Sequence, residues 1–152
     1  MTVKANYKTI TQAIKGYGTK LSTRERSDCV VCAMASALNV TYSKAHKFVR
    51  ERYGRIDKKA TYGFDQITKS MKNEVFFGKQ IERYYPTDFK GNKCETVGQF
   101  LTYYKYKKGT FLIAVRSHVF AVKNGVVIGN WDDSEKLRRI LRSVWKVSNI
   151  KP

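Results

Sequence analysis

Proline is scarce in this sequence, and no segment of it has the composition of a linker. The two prolines are Pro86 and the terminal Pro152, and the 152 residues contain no Gly/Ser-rich stretch and no internal repeat. A chain of this length suits one ordinary domain that buries roughly two-thirds of the surface of its unfolded form. We therefore predict a single domain over residues 1–152.

Cysteine is also scarce, and long apolar runs are missing. The three cysteines are an odd number, and the first ten residues, MTVKANYKTI, are mixed and polar rather than typical of a secretory leader. These features argue against a disulfide framework and favour a reducing, cytoplasmic location. No run approaches the length that spans a bilayer, so we expect no membrane partner.

Acidic residues are few: 12 Asp and Glu stand against 30 Lys and Arg, a net charge of +18. Such a charge attracts polyanions, so nucleic acid or an acidic protein is a candidate partner. The basic residues are spread along the whole chain, which equally fits a solvated basic surface. In the segment YYKYKKG, lysines alternate with rings that could stack on bases, whereas a helix with inward tyrosines explains it as well. The nucleic-acid candidates are Tyr103, Tyr104, Lys105, Lys107 and Lys108.

Helical patterns dominate the first two thirds of the chain. We predict a short helix over residues 7–15 within an N-terminal helix and loop, residues 1–26. The helical part proper is predicted over residues 27–105. Two of its helices are expected near 64–73 and 96–105.

The start and stop signals of the other helices are clearer. Apolar residues recur at helical spacing from Cys29, Asn39 can end this buried helix, and Thr41 can cap the next one. Thr96 and Gln99 stand at capping-box spacing at the start of a later helix.

After Gly109 the pattern changes to that of strands. TFLIAV, HVFAVK and GVVIGNW are β-type runs, and Asn124-Gly125 between the last two is a strong hairpin signal. In the tail, a helix from Ser134 and a final strand are both compatible with the sequence, and alternation favours a turn and then a strand. The alternating residues are Leu141, Ser143, Trp145 and Val147. Helices followed by an antiparallel sheet, residues 109–147, make an α+β fold in which the helices pack on the sheet.

The segment SDCVVCAMASAL places two thiols one helical turn apart, and three chemistries compete for them. A redox pair normally follows a strand in a βαβ unit, which this segment does not. Zinc would need the pair Cys29 and Cys32 together with two distant single ligands, Cys94 and His118, whereas structural zinc sites usually have a second closely spaced pair. We expect no bound metal and no cofactor.

The third chemistry is a nucleophilic thiol at a helix N-terminus facing an imidazole on a strand. His118 begins the first strand of the hairpin, and a two-residue turn sets Asn130 and Asp132 within one residue of the position opposite it. The other histidine, His46, is predicted to be a surface or packing residue.

The motifs DCVVCAMASAL, SHVFAV and GNWDD resemble the papain-like cysteine peptidase fold, especially its small versions carried in phage genomes. The similarity covers roughly residues 27–147. It implies that Cys29 is the nucleophile, that His118 is the general base and then acid, and that Asn130 or Asp132 orients the imidazole. Cys32 would be a buried small hydrophobe.

Two positions depart from the pattern of that family. Thr23 stands where a glutamine usually helps to hold the oxyanion, so the candidate donors are the hydroxyls of Ser22, Thr23 and Ser27. Gly129 stands where an aspartate would be expected, and a bulge at Gly129 would turn Asn130 towards the imidazole.

The resemblance implies a hydrolase of peptide, isopeptide or related amide bonds with a protein or peptide substrate, acting in the host cytoplasm if phage-encoded. The alternative is a catalytically impaired papain-like protein that binds a host protein or nucleic acid through its basic surface.

Overall fold

The computed structural model describes residues 7–9, 29–53, 74–103, 108–115, 118–129 and 138–149. These segments form an α+β arrangement in which helices cover both faces of one sheet. No helix within these segments is long and apolar enough to cross a bilayer.

The sheet contains seven strands within the described residues. In chain order they are β1 (Tyr7–Thr9), β2 (Glu74–Phe76), β3 (Lys79–Tyr84), β4 (Thr110–Val115), β5 (His118–Lys123), β6 (Val126–Gly129) and β7 (Ser143–Asn149). Their spatial order is β1-β6-β5-β4-β7-β3-β2. All neighbouring strands are antiparallel except β1, which pairs parallel to β6 at one edge. The antiparallel sheet predicted from the sequence is therefore confirmed.

The β5–β6 hairpin is the one that the Asn-Gly signal predicts. Lys123 pairs with Val126, which leaves a two-residue turn in which Asn124 has φ 51° and Gly125 has φ 78°. Two successive residues with positive φ characterise the turn whose twist matches that of the flanking strands. The Asn124 amide also donates to the Gly109 carbonyl at 2.8 Å, which ties this turn to the start of β4.

Two helices, α1 (Cys29–Leu38) and α2 (Tyr42–Tyr53), form a helical hairpin. Asn39, with φ 55°, ends α1 in the left-handed conformation that asparagine tolerates better than most residues. The Thr41 hydroxyl accepts a hydrogen bond from the Lys44 amide at 3.3 Å and so caps α2. Both signals behave as predicted.

The third described helix, α3 (Val97–Thr102), begins with the predicted capping box. The Thr96 hydroxyl accepts from the Gln99 amide at 3.2 Å, and the Gln99 side chain accepts in return from the Thr96 amide at 3.2 Å. The helix is shorter than the predicted 96–105, because the backbone of Tyr103 is already extended.

The two faces of the sheet hold separate hydrophobic cores. On the first face, α1 and α2 pack over strand residues that include Leu112, Ala121 and Trp145. On the second face, α3 packs over the alternate strand residues, including Phe111 and Phe120. This alternation is the period-two pattern of a sheet that is buried on both sides.

The structure corrects two of the sequence-based expectations about secondary structure and confirms a third. Tyr7–Thr9 is a strand rather than the start of a helix over 7–15, since its backbone pairs with β6 at the sheet edge. The part predicted to be helical also contains β2 and β3, which extend the sheet beside β7. The predicted final strand is confirmed as β7, whereas the helix near 64–73 lies outside the described residues.

Candidate functional site

Cys29 is the first residue of α1. The first turn of a helix has backbone amides without intrahelical partners, and together with the helix dipole they favour a thiolate over a thiol. Cys32, one turn later, is 4% exposed and belongs to the first core, as predicted for a buried hydrophobe. The helix thus begins at one cysteine and buries the other in the first core.

The helix that begins at Cys29 packs chiefly on the strand that begins at His118. Small side chains on both elements, such as Ala33 on α1 and Ala121 on β5, are buried in the shared core. Short side chains allow a helix and a sheet to approach closely. The structure thus brings together the two elements that carry the predicted nucleophile and base.

The side chain of His118 lies on the second face of the sheet. Val119 and Ala121 belong to the first core, so alternation places His118 with Phe120 on the side away from α1. The two rings are stacked, with centroids 5.9 Å apart and planes at 26°. A thiol–imidazole pair therefore requires the two side chains to meet beyond the N-terminal end of β5, and not across the helix–sheet interface.

One ring nitrogen of His118 is shielded from water. The side chain as a whole is half-buried, and its Nε2 atom is inaccessible to solvent.

Other residues proposed for this site lie outside the described segments. They are the third-member candidates Asn130 and Asp132 and the oxyanion candidates Ser22, Thr23 and Ser27. Strand β6 ends at Gly129, which directly precedes Asn130 in the sequence.

His46 fits its predicted role as a packing residue. It is 4% exposed on α2, and its ring centroid lies 6.1 Å from that of Tyr42, one turn earlier on the same helix.

The four-ligand zinc site considered from the sequence is not formed. Cys32 belongs to the core on the first face of the sheet, whereas Cys94 belongs to the core on the second face. The sheet lies between these two thiols, so one ion cannot bind both. Within the described segments, no three His, Cys, Asp or Glu side chains gather around a point that a metal could occupy.

The predicted nucleic-acid segment is described only at its ends. Tyr103 is half-buried and packs against the second core, and Lys108 is exposed. Tyr104, Lys105 and Lys107 lie outside the described residues.

Sequence reasoning overlooked a second group of basic and aromatic residues. Tyr85 and Phe89 are 72% and 73% exposed, Arg83 lies against the Tyr85 ring, and Lys90 follows Phe89 in the sequence. The signal was present in two short segments, ERYYPTDFK and LRRILR, which combine arginines with large apolar side chains. Neither segment has a recognisable motif, and they are far apart in sequence.

Comparison of this chain with family models, with curated proteins and with solved structures finds no match.

Proposed function

We propose that this chain is a papain-like cysteine hydrolase that cleaves a peptide, isopeptide or related amide bond, with Cys29 as the nucleophile and His118 as the base. One observation carries the proposal: the helix that begins at Cys29 rests on the strand that begins at His118. Nucleophilic thiols are typically placed at a helix N-terminus beside an imidazole on a neighbouring element.

The chemistry would proceed in two steps. The Cys29 thiolate attacks the carbonyl carbon of the scissile amide, and His118, which holds the thiol proton, gives it to the departing amine. The resulting thioester is hydrolysed by a water molecule that loses its proton to His118, which regenerates the thiol. Asn130 or Asp132 would hold the imidazole in the orientation that both transfers need.

The position of His118 on the second face defines a geometric requirement for this mechanism. The ring stacks on Phe120, so it can reach the thiol only past the start of β5. If the pair forms there, the thiolate of Cys29 is stabilised by the imidazolium, and its pKa falls below the ordinary thiol value of about 8.5.

Alkylation kinetics test this without knowledge of the substrate. The rate at which iodoacetamide labels Cys29 is measured from pH 4 to pH 10, about the range over which thiols titrate in proteins, with peptide mapping to assign the label. We expect labelling at a pH well below 8 in the unchanged protein, and a shift of the profile towards about 8.5 in His118→Gln. Cys32→Ala is the matched control and should leave the profile unchanged, because Cys32 is buried.

Two results would contradict the hydrolase. One is an identical profile for the unchanged protein and His118→Gln, which would show that the imidazole does not act on the thiol. The other is full biological activity of Cys29→Ala in cells, since an acyl-enzyme cannot form without the sulfur. Circular dichroism and thermal unfolding of each variant establish that the fold is intact.

A further inference from the structure

One end of the sheet presents exposed apolar side chains beside a concentration of positive charge. Here β3 ends, β7 begins and α3 starts. Tyr85, Phe89 and Ile140 are 72%, 73% and 62% exposed. The basic residues of the same segments are Arg83, Lys90, Lys93, Arg138, Arg139 and Arg142. We call this group of nine residues the arginine–aromatic surface.

Backbone hydrogen bonds join the two segments that form this surface. Within the first segment, the Cys94 amide donates to the Pro86 carbonyl at 3.0 Å. Between the segments, the Leu141 amide donates to the Glu95 carbonyl at 2.8 Å, and Ile140 forms an antiparallel bridge with Thr96. Residues 85–96 and 138–142 therefore form one continuous structure although they are far apart in sequence.

The ring of Tyr85 is held in place by Arg83. The guanidinium carbon of Arg83 lies 5.0 Å from the Tyr85 ring centroid and 5.4 Å from that of the buried Trp145. The same guanidinium donates to the Val144 carbonyl at 3.1 Å and to the Arg142 carbonyl at 3.4 Å. A cation anchored in this way stabilises the orientation of the tyrosine ring, most of which remains open to solvent.

Phe89 is positioned by a compact loop. The Asp88 carboxylate accepts hydrogen bonds from the Lys90 amide at 2.8 Å and the Asn92 amide at 2.9 Å. The Phe89 ring meets the edge of Tyr103 with centroids 4.7 Å apart and planes at 85°. Phe89 thus packs against Tyr103 and is still largely exposed.

The charge of this surface is strongly positive. Residues 83–96 and 138–142 contain all six of its Lys and Arg residues and two acidic residues, Asp88 and Glu95, and Glu82 directly precedes Arg83. The Asp88 carboxylate is already occupied with the backbone of its own loop. A ligand that approaches this end of the sheet therefore meets exposed rings beside more basic than acidic residues of these segments.

We propose that the arginine–aromatic surface binds single-stranded nucleic acid. Flat rings that are fixed and exposed can stack on unpaired bases, while the surrounding lysines and arginines neutralise phosphates. The bases of a duplex are already stacked on each other, so a duplex would use the cations but not the rings. None of the nine residues belongs to the proposed cysteine site.

Fluorescence anisotropy with a labelled oligothymidylate tests the contribution of the rings. Tyr85→Leu removes the ring and should weaken binding by about 5-fold to 150-fold, the effect of losing one base–aromatic stack. Tyr85→Phe keeps the ring and should bind nearly as tightly as the unchanged protein. A duplex of the same length should bind less tightly than the single strand, and its affinity should be insensitive to Tyr85→Leu.

The salt dependence of the same measurement tests the cations. Arg138→Gln/Arg142→Gln should lower the slope of log K against log salt by about 1.4, or about 0.7 for each phosphate contact to a single strand. The matched control, Lys44→Gln/Arg50→Gln, removes the same charge from exposed positions on α2 and should leave the slope unchanged.

Three outcomes would overturn the proposal. Tyr85→Leu could bind oligothymidylate as tightly as the unchanged protein. The control pair could lower the slope as much as the Arg138 and Arg142 pair, which would indicate general attraction to a basic protein. Polyglutamate could displace the oligonucleotide as effectively as unlabelled oligothymidylate does, in which case the surface recognises charge alone, as it would on an acidic protein. The pH profile of Cys29 alkylation is measured separately, so a failure of this proposal is distinguishable from a failure of the proposed hydrolase.

Discussion

The two faces of the sheet are covered by helices in different ways. On the first face, α1 and α2 of 10 and 12 residues cover the strands, and alanines on both sides of the interface let the helix approach closely. On the second face, α3 has six residues, and aromatic rings fill the space that so short a helix leaves. Phe111, for example, lies 5.2 Å from Phe100 and 5.5 Å from Tyr84, measured between ring centroids.

The difference bears on the candidate site. Cys29 begins a helix on the alanine-rich face, whereas His118 lies with the aromatic residues on the opposite face. The first face depends on close approach of backbones, and the second depends on the volume of a few rings. We therefore expect added side-chain volume to lower the stability of the first face, and removed side-chain volume to lower the stability of the second face.

Phe100→Ala should have the largest effect on stability. Phe100 is fully buried at the centre of the aromatic face, so its truncation leaves a cavity that the short helix α3 cannot fill. We expect the free energy of unfolding to fall by about 3–5 kcal/mol, measured by urea denaturation. Phe100→Leu, which keeps most of the volume, should cost much less, and equal losses for the two variants would show that this face is loosely packed.

Ala121→Leu should have the next largest effect and tests the alanine-rich face. Ala121 is fully buried on β5 beneath α1, so a larger side chain would push the helix away from the sheet. We expect a loss of about 1–3 kcal/mol in the same assay. Lys123→Leu, at the half-exposed end of the same strand, should change stability little. A tolerated Ala121→Leu would mean that α1 does not lie as close to β5 as described.

Thr96→Ala should have the smallest of the three effects. It removes the hydroxyl that caps the amide of Gln99 and disrupts the capping box of α3. Because α3 has few intrahelical hydrogen bonds of its own, we expect a loss of about 1 kcal/mol in urea denaturation. Thr41→Ala on the longer α2, whose cap is a single 3.3 Å hydrogen bond, should cost less. The reverse order would show that the short helix does not depend on its cap.

Local signals predicted much of this fold correctly. Asn39 and Thr41 separate α1 from α2, Thr96 and Gln99 start α3, and Asn124 begins the β5–β6 turn. Each of these features depends on hydrogen bonds or backbone angles within about five residues. Such interactions are the same in any tertiary context, so the sequence alone is enough to identify them.

Long-range pairing explains where sequence reasoning was wrong. Tyr7–Thr9 has no strong pattern of its own and becomes a strand because β6 offers it a free edge. Strand β3 likewise joins the sheet by pairing with β7, and Lys79 lies opposite Asn149, 70 positions later in the sequence. No local signal marks either pairing.

The sequence by itself determined the chemistry that this protein carries: a thiol at the start of a buried helix, an imidazole at the start of a strand, and an excess of positive charge. Only the tertiary structure decided how these groups are distributed. Strand alternation sets His118 on the face away from α1, and the pairing of β3 with β7 brings Arg83 and Tyr85 beside Arg142. The reason is that a side chain's identity is local, whereas its neighbours across a sheet are selected by hydrogen bonds between segments far apart in the chain.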